Sequence, residues 1–261
     1  MKKFRTLTAL VAILAFGPLQ AVEIVTVGDS ITSGVKVSAD RILYCPPDNV
    51  TVSILNSIYF CNGDGVANSG GFQPDIRTQL ASIGVSSNVY NFGWAGEESW
   101  QIVSRVTQAM SSRASEFVFL MAGVNDLNDN VSAQTTIFNI QQMAQNVINN
   151  GRTPVIATVT PYPVLTSYTN KILAINAGLI SYANANNIAV ADAYALLASG
   201  FQSVPYHSGD RLHLNDAGDS VVGLAWRQGY QQSIAIAEEL ARLERAKRSI
   251  PAVIVPVLLS D

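Results

Sequence analysis

Histidine is almost missing from this chain: 261 residues contain two, His207 and His213. Neither has a second histidine or a thiol at the spacing of a metal-ligand set, which argues against a metal-dependent site. Cysteine is as scarce. Cys45 and Cys61 permit one disulfide at most, which excludes a small scaffold built on many bridges. Charged residues make up 13% of the chain against 48% hydrophobic ones, so a disordered chain is excluded and a large buried core is supported. Neither a G-x-G-x-x-G pattern nor a Walker lysine occurs, so no loop is written to cradle phosphates. Basic residues are in deficit, with a formal charge of −3, which makes nucleic acid and anionic membranes poor partners. No internal apolar run reaches the length of a membrane-spanning helix.

What is present begins with a leader. Met-Lys-Lys-Phe-Arg is followed by the apolar run "LTALVAILAFGPL" and then by Ala21. A charged start, a short apolar stretch and a small residue predict a signal peptide over 1–21, although Leu19 is larger than the usual residue at −3. Removing it takes away three cations and no acid, moving the formal charge from −3 to −6. The mature protein is therefore expected to be secreted or periplasmic, where a bond between Cys45 and Cys61 can persist.

Five apolar runs recur downstream: "VEIVTV" (22–27), "NVYNF" (88–92), "FVFLM" (117–121), "VIATV" (155–159) and "IAVA" (188–191). Continuous rather than alternating apolarity suits strands of a parallel sheet buried on both faces. Helical spacing is clearest in 98–112, where Ile102, Val103, Val106, Ala109 and Met110 share a face. It is weaker in 72–83, 134–149 and 168–186, and 215–246 reads as a long final helix. Strand alternating with helix predicts an α/β fold, a three-layer α/β/α sandwich around a mostly parallel five-stranded sheet. One domain over 22–240 is expected, with an insertion at 35–71 and a C-terminal tail, 241–261, whose role the sequence does not reveal.

In open α/β sheets the ligand site lies beyond the carboxyl ends of the strands. After the first strand comes "GDSITSG" with Ser30, and after the second "GWAGEES" with Gly93 and Gly96. After the third comes "AGVNDLND" with Asn125 and Asp126, and near the end "HSGDRLHLNDAG" places Asp210 three residues before His213. A hydroxyl, a glycine amide, an asparagine amide and an acid–base pair are the parts of acyl transfer.

These segments resemble the SGNH (GDSL-type) hydrolase family. The resemblance is carried by "VGDSITSG", "NFGWAG", "AGVNDL" and "DRLHLNDAG", which occur once each and in family order over about residues 23–230. It implies a flavodoxin-like sheet, Ser30 as nucleophile, His213 as base and Asp210 as its acid. It also implies an oxyanion hole of Ser30, Gly93 and Asn125, with no cofactor and a lipid or acetylated-carbohydrate ester as substrate. An acyltransferase with the same triad, or an α/β binding module without turnover, are the alternatives.

Each residue also has a plainer reading. Ser30 could cap a helix, and Asn125 could cap one or form an Asx-turn with Asp126 as its twin. Ionised Asp126 cannot donate to an oxyanion, whereas the Asn125 amide can. Asp29 and Asp192 are rival orienting acids, and His207 is the rival base, expected to be structural. Within 35–71, Cys45 and Cys61 enclose 15 residues. A disulfide there would add about 3 kcal/mol in the chain-entropy model, either as a surface staple or as part of a cover over the site.

Overall fold

The chain opens with β1 (Val22–Gly28), a one-turn helix α1 (Ser30–Ser33), and an antiparallel ribbon of β2 (Lys36–Ser38) and β3 (Arg41–Tyr44). It continues through α2 (Gln73–Ala81), β4 (Ser87–Gly93), α3 (Ser99–Ser112), β5 (Phe117–Met121), a 3-10 turn (Asn125–Leu127) and α4 (Ala133–Asn149). β6 (Thr153–Ala157), α5 (Thr166–Ala185), β7 (Ala189–Ala191), α6 (Ala193–Phe201) and α7 (Asp216–Ser249) complete it. This computed structural model describes residues 20–38, 41–44, 71–201 and 206–249.

Five strands form one sheet in the order β4-β1-β5-β6-β7, and every neighbouring pair is parallel. The order reverses at β1: the chain steps out to β4, then crosses back to β5 and moves on in one direction. Right-handed crossovers then require α2 on one face and α3, α4 and α5 on the other. The packing agrees. α2 and α6 lie against α7, while α3 packs on α4 and α4 on α5. The architecture is the expected α/β/α sandwich.

Burial explains the strand patterns. β5 is buried at all five positions because β1 and β6 flank it and helices cover both faces. β4 alternates buried and half-buried residues because it is an edge strand. Aromatic packing joins the sheet to α7, where Phe119 stacks on Trp226 at 4.6 Å and Phe117 meets Tyr230 at 5.0 Å. Val222, Ala225, Trp226 and Tyr230 sit on one stripe of α7 at helical spacing and are buried. No helix among the described residues is long and apolar enough to cross a membrane.

One boundary and one element differ from the sequence expectation. α7 runs through Ser249, so the residues 241–249 assigned to the tail belong to that helix. The insertion at 35–71 begins with the β2–β3 ribbon, which its sequence had not announced. Its feet touch: a Cβ on Gly71 would lie 2.8 Å from the Cα of Gly34, the residue that caps α1. Cys45 and Cys61, residues 1–19 of the leader and residues 250–261 lie outside the described residues.

Candidate active site

The sheet's switch point places β1 where a ligand can reach its carboxyl end. β1 stops at Gly28, Asp29 caps α1, and Ser30 is the first residue of that turn. α1 can lie over the sheet's end only because glycines stand beneath it. Gly28 and Gly93 are register partners on β1 and β4. A Cβ on Gly93 would lie 2.1 Å from Ser33 N, and one on Gly28 would lie 2.1 Å from Thr32 Oγ1, both atoms of α1. Buried Gln73 braces the turn from behind, donating to Thr26 Oγ1 at 3.0 Å and to the Thr32 carbonyl at 2.8 Å.

A loop 183 positions later meets Ser30. His213 Nε2 lies 2.9 Å from Ser30 Oγ, and His213 Nδ1 lies 2.5 Å from Asp210 Oδ2. The carboxylate can only accept, so the ring proton belongs on Nδ1 and Nε2 is free to take the serine proton. The loop is built tightly for this. Asp210 Oδ1 accepts from the amides of Leu212 (3.0 Å) and His213 (2.9 Å), and Arg211 between them is left-handed, with φ +63°. Burial alone would raise the Asp210 carboxyl, but hydrogen bonds from the His213 ring and from these amides outweigh it and hold it below the ordinary carboxylate range.

The rival residues are engaged elsewhere. His207 is buried and pairs with Leu214 across the base of the loop, its Nδ1 accepting from Gly209 N–H at 3.0 Å. Asp192 accepts from Thr158 Oγ1 and from the Ala195 amide at the start of α6. Asp126 accepts from Ser99 N–H (2.7 Å), Ser99 Oγ (2.6 Å) and Thr136 Oγ1 (2.6 Å), so it anchors the start of α3 to α4. Asn125 points the other way, its Nδ2 donating to the Glu97 carbonyl at 2.8 Å with a second N–H left to give.

One expected donor must be corrected. The Gly93 N–H is already given to Asn91 Oδ1 at 2.9 Å, and Gly93 is buried against α1. Its lack of a side chain serves close packing, and its amide is spent. Gly96, three residues on, lies in the exposed loop after β4 with φ +82°, and its N–H donates to no described residue. The helix that Ser30 opens is only one turn long. A four-residue α1 carries little macrodipole, so any help for negative charge comes from its individual amides.

Asp29 completes the local electrostatics. Its Oδ1 accepts from Ile31 N–H at 3.0 Å, yet complete burial, with Asp126 and Glu97 nearby, pushes its carboxyl up to about 7. A group whose folded value is raised stabilises below its unfolded value, and that benefit is lost as pH rises toward 7. The ionised form then costs about 4 kcal/mol. Asp29→Asn keeps the acceptor for Ile31 and removes the charge. Its stability relative to wild type should climb between pH 4 and pH 7 and level off above, as read by urea unfolding at several pH values. A difference that stayed constant over that range would refute the assignment.

Among the described residues no cluster of His, Cys, Asp and Glu is arranged to hold a metal ion. A groove of about 1020 Å³ runs beneath the second half of α7, but none of Ser30, Gly96, Asn125, Asp210 and His213 lines it.

The family model for GDSL-like lipases and acylhydrolases matches residues 26–221 of the chain. No curated protein matches it. Among solved structures, a family 3 carbohydrate esterase from Clostridium thermocellum is similar at TM-score 0.57 and 20% identity, over 85% of this chain and 100% of that one. A lipase/acylhydrolase from Enterococcus faecalis is similar at TM-score 0.57 and 17% identity, over 85% and 96%. A variant of an acetyl-xylooligosaccharide esterase from Geobacillus is similar at TM-score 0.60 and 14% identity, over 83% and 95%.

Proposed function

The chain belongs to the GDSL-like lipase/acylhydrolase family, and from that premise we propose that it is an exported serine esterase working through Ser30, His213 and Asp210. The observation that carries this reading is the unbroken hydrogen-bonded line from Asp210 Oδ2 through the His213 ring to Ser30 Oγ. Ser30 Oγ attacks the ester carbonyl while His213 Nε2 takes its proton, and Asp210 steadies the ring as it becomes charged. The tetrahedral oxyanion is held by the N–H groups of Ser30 and Gly96 and by Asn125 Nδ2. The alcohol leaves with the proton from His213, and water then releases the acid by the same steps in reverse.

The proposed substrates are lipid or acetylated-carbohydrate esters. Fold likeness to both a carbohydrate esterase and a lipase/acylhydrolase supports that range. Export is proposed on the leader at 1–21, and with it a Cys45–Cys61 disulfide. The direct test is reaction with a fluorophosphonate, followed by peptide mapping and a chain-length series of nitrophenyl esters beside acetylated xylo-oligosaccharides. Label on Ser30 with turnover of one ester class is the expected result. Protein that takes no label and turns over none of these esters would refute the proposal.

A further inference from the structure

We infer that Arg105, on α3, is a positioning residue for this reaction, tying the strand end before the nucleophile to the loop that carries Gly96 and holds the Asn125 amide. The inference rests on the esterase reading above. Arg105 Nη2 donates to the Gly28 carbonyl at 3.0 Å and Nη1 to the Phe92 carbonyl at 3.0 Å. Its Nε donates to the Glu97 carboxylate at 2.8 and 2.6 Å, and Nη2 pairs with the same carboxylate. Gly28 is two residues before Ser30, Phe92 is the penultimate residue of β4, and Glu97 follows Gly96 directly. The Glu97 carbonyl in turn holds Asn125 Nδ2. One guanidinium therefore sets the distance between the nucleophile turn and both outlying donors.

Three features separate this from an ordinary surface ion pair. Both side chains are largely shielded, at 15% and 12% exposure, so solvent screens the pair less than an exposed one. The guanidinium also lies over the Trp94 ring at 5.8 Å, within cation–π range. Its charge has a local purpose as well: Asp29, Asp126 and Glu97 all act on this corner, where an oxyanion must form. Paired with Arg105, Glu97 does not oppose the growing negative charge. Lysine could neutralise Glu97 but could not span the two carbonyls as well.

The test uses Arg105→Lys and Glu97→Gln in the full protein, because Arg105→Ala would leave a shielded carboxylate unpaired and could fail to fold. Fluorophosphonate titration counts the competent serines, and kcat is then expressed per titrated site. For Arg105→Lys, kcat per site should fall by about 10–100-fold. KM should stay within about twofold of wild type, because the interaction lost belongs to the transition state. The Ki of phenylboronic acid, which forms a tetrahedral adduct on the serine, should rise by a similar factor. Glu97→Gln should move the same quantities in the same direction by less. A merely structural role would lower the titre and leave kcat per site and Ki as in wild type; that result, or a loss confined to KM, would overturn the inference. Wild-type protein without a titratable serine would instead refute the esterase reading itself.

Discussion

Replacing Ser30 with alanine is expected to remove nearly all ester hydrolysis, a loss of at least about 10³-fold in kcat, while the fold stays in place. The side chain lost is one hydroxyl whose Oγ meets the His213 ring. The bonds that hold the turn together use the Ser30 carbonyl, which accepts from Ser33 Oγ, Gly34 N–H and Val35 N–H, and these survive the change. His213→Ala should cost as much, and the double variant little more, because nucleophile and base act as one proton-transfer unit. Asp210→Asn should be severe for a different reason. Its amide would donate to Nδ1, moving the ring proton to Nε2 and leaving nothing to accept from Ser30. Because Asp210 is held below the ordinary carboxylate range, its charge is lost only at pH values below that range. Steady-state kinetics with a nitrophenyl ester, beside circular dichroism of each variant, checks all three. Near-wild-type turnover by Ser30→Ala would end the triad mechanism.

Asn125→Ala should lower kcat by on the order of 10²–10³ with KM little changed, since its free N–H matters only once the carbonyl oxygen becomes charged. The alanine also releases the Glu97 carbonyl and so loosens the loop bearing Gly96. Asn125→Asp should be at least as damaging: a carboxylate cannot donate, and it would set negative charge against both the oxyanion and the Glu97 carbonyl. A variant that raised KM alone would make Asn125 a substrate contact.

The strands were legible because burial on both faces writes an unbroken apolar run, and β1 and β5 lie where such runs stand. That Ser30, Asp210 and His213 meet was foreseeable for another reason: few residue types suit the proposed roles, and histidine is rare enough to leave little choice. Glycine carries no such label. Gly93 and Gly96 look alike in sequence, yet one is needed because a backbone passes over it and the other presents an amide. Only three-dimensional packing tells them apart. Position within the strand offered the one available hint, since an amide at a strand's end is more readily taken than one in the loop beyond. Arg105 was invisible for a related reason, as its partners are main-chain carbonyls and any residue supplies those. The β2–β3 ribbon lies in a stretch without clear alternation, so nothing marked it.

The proposed triad joins a very local contact to the most distant of the side-chain hydrogen bonds among the described residues. Asp210 and His213 are three residues apart and share a loop closed by its own backbone bonds, whereas His213 and Ser30 are 183 apart. Loops of about ten residues can close in roughly 10–100 ns, so the acid–base pair can assemble early in folding. Its junction with Ser30 must wait until β1 is seated between β4 and β5 and α7 has docked on the sheet. Contacts of such separation are the slow ones. Hydrolysis is therefore a clock for the end of folding: a refolding chain regains its helices first and its turnover last, and the substrate itself reports when the sheet is complete.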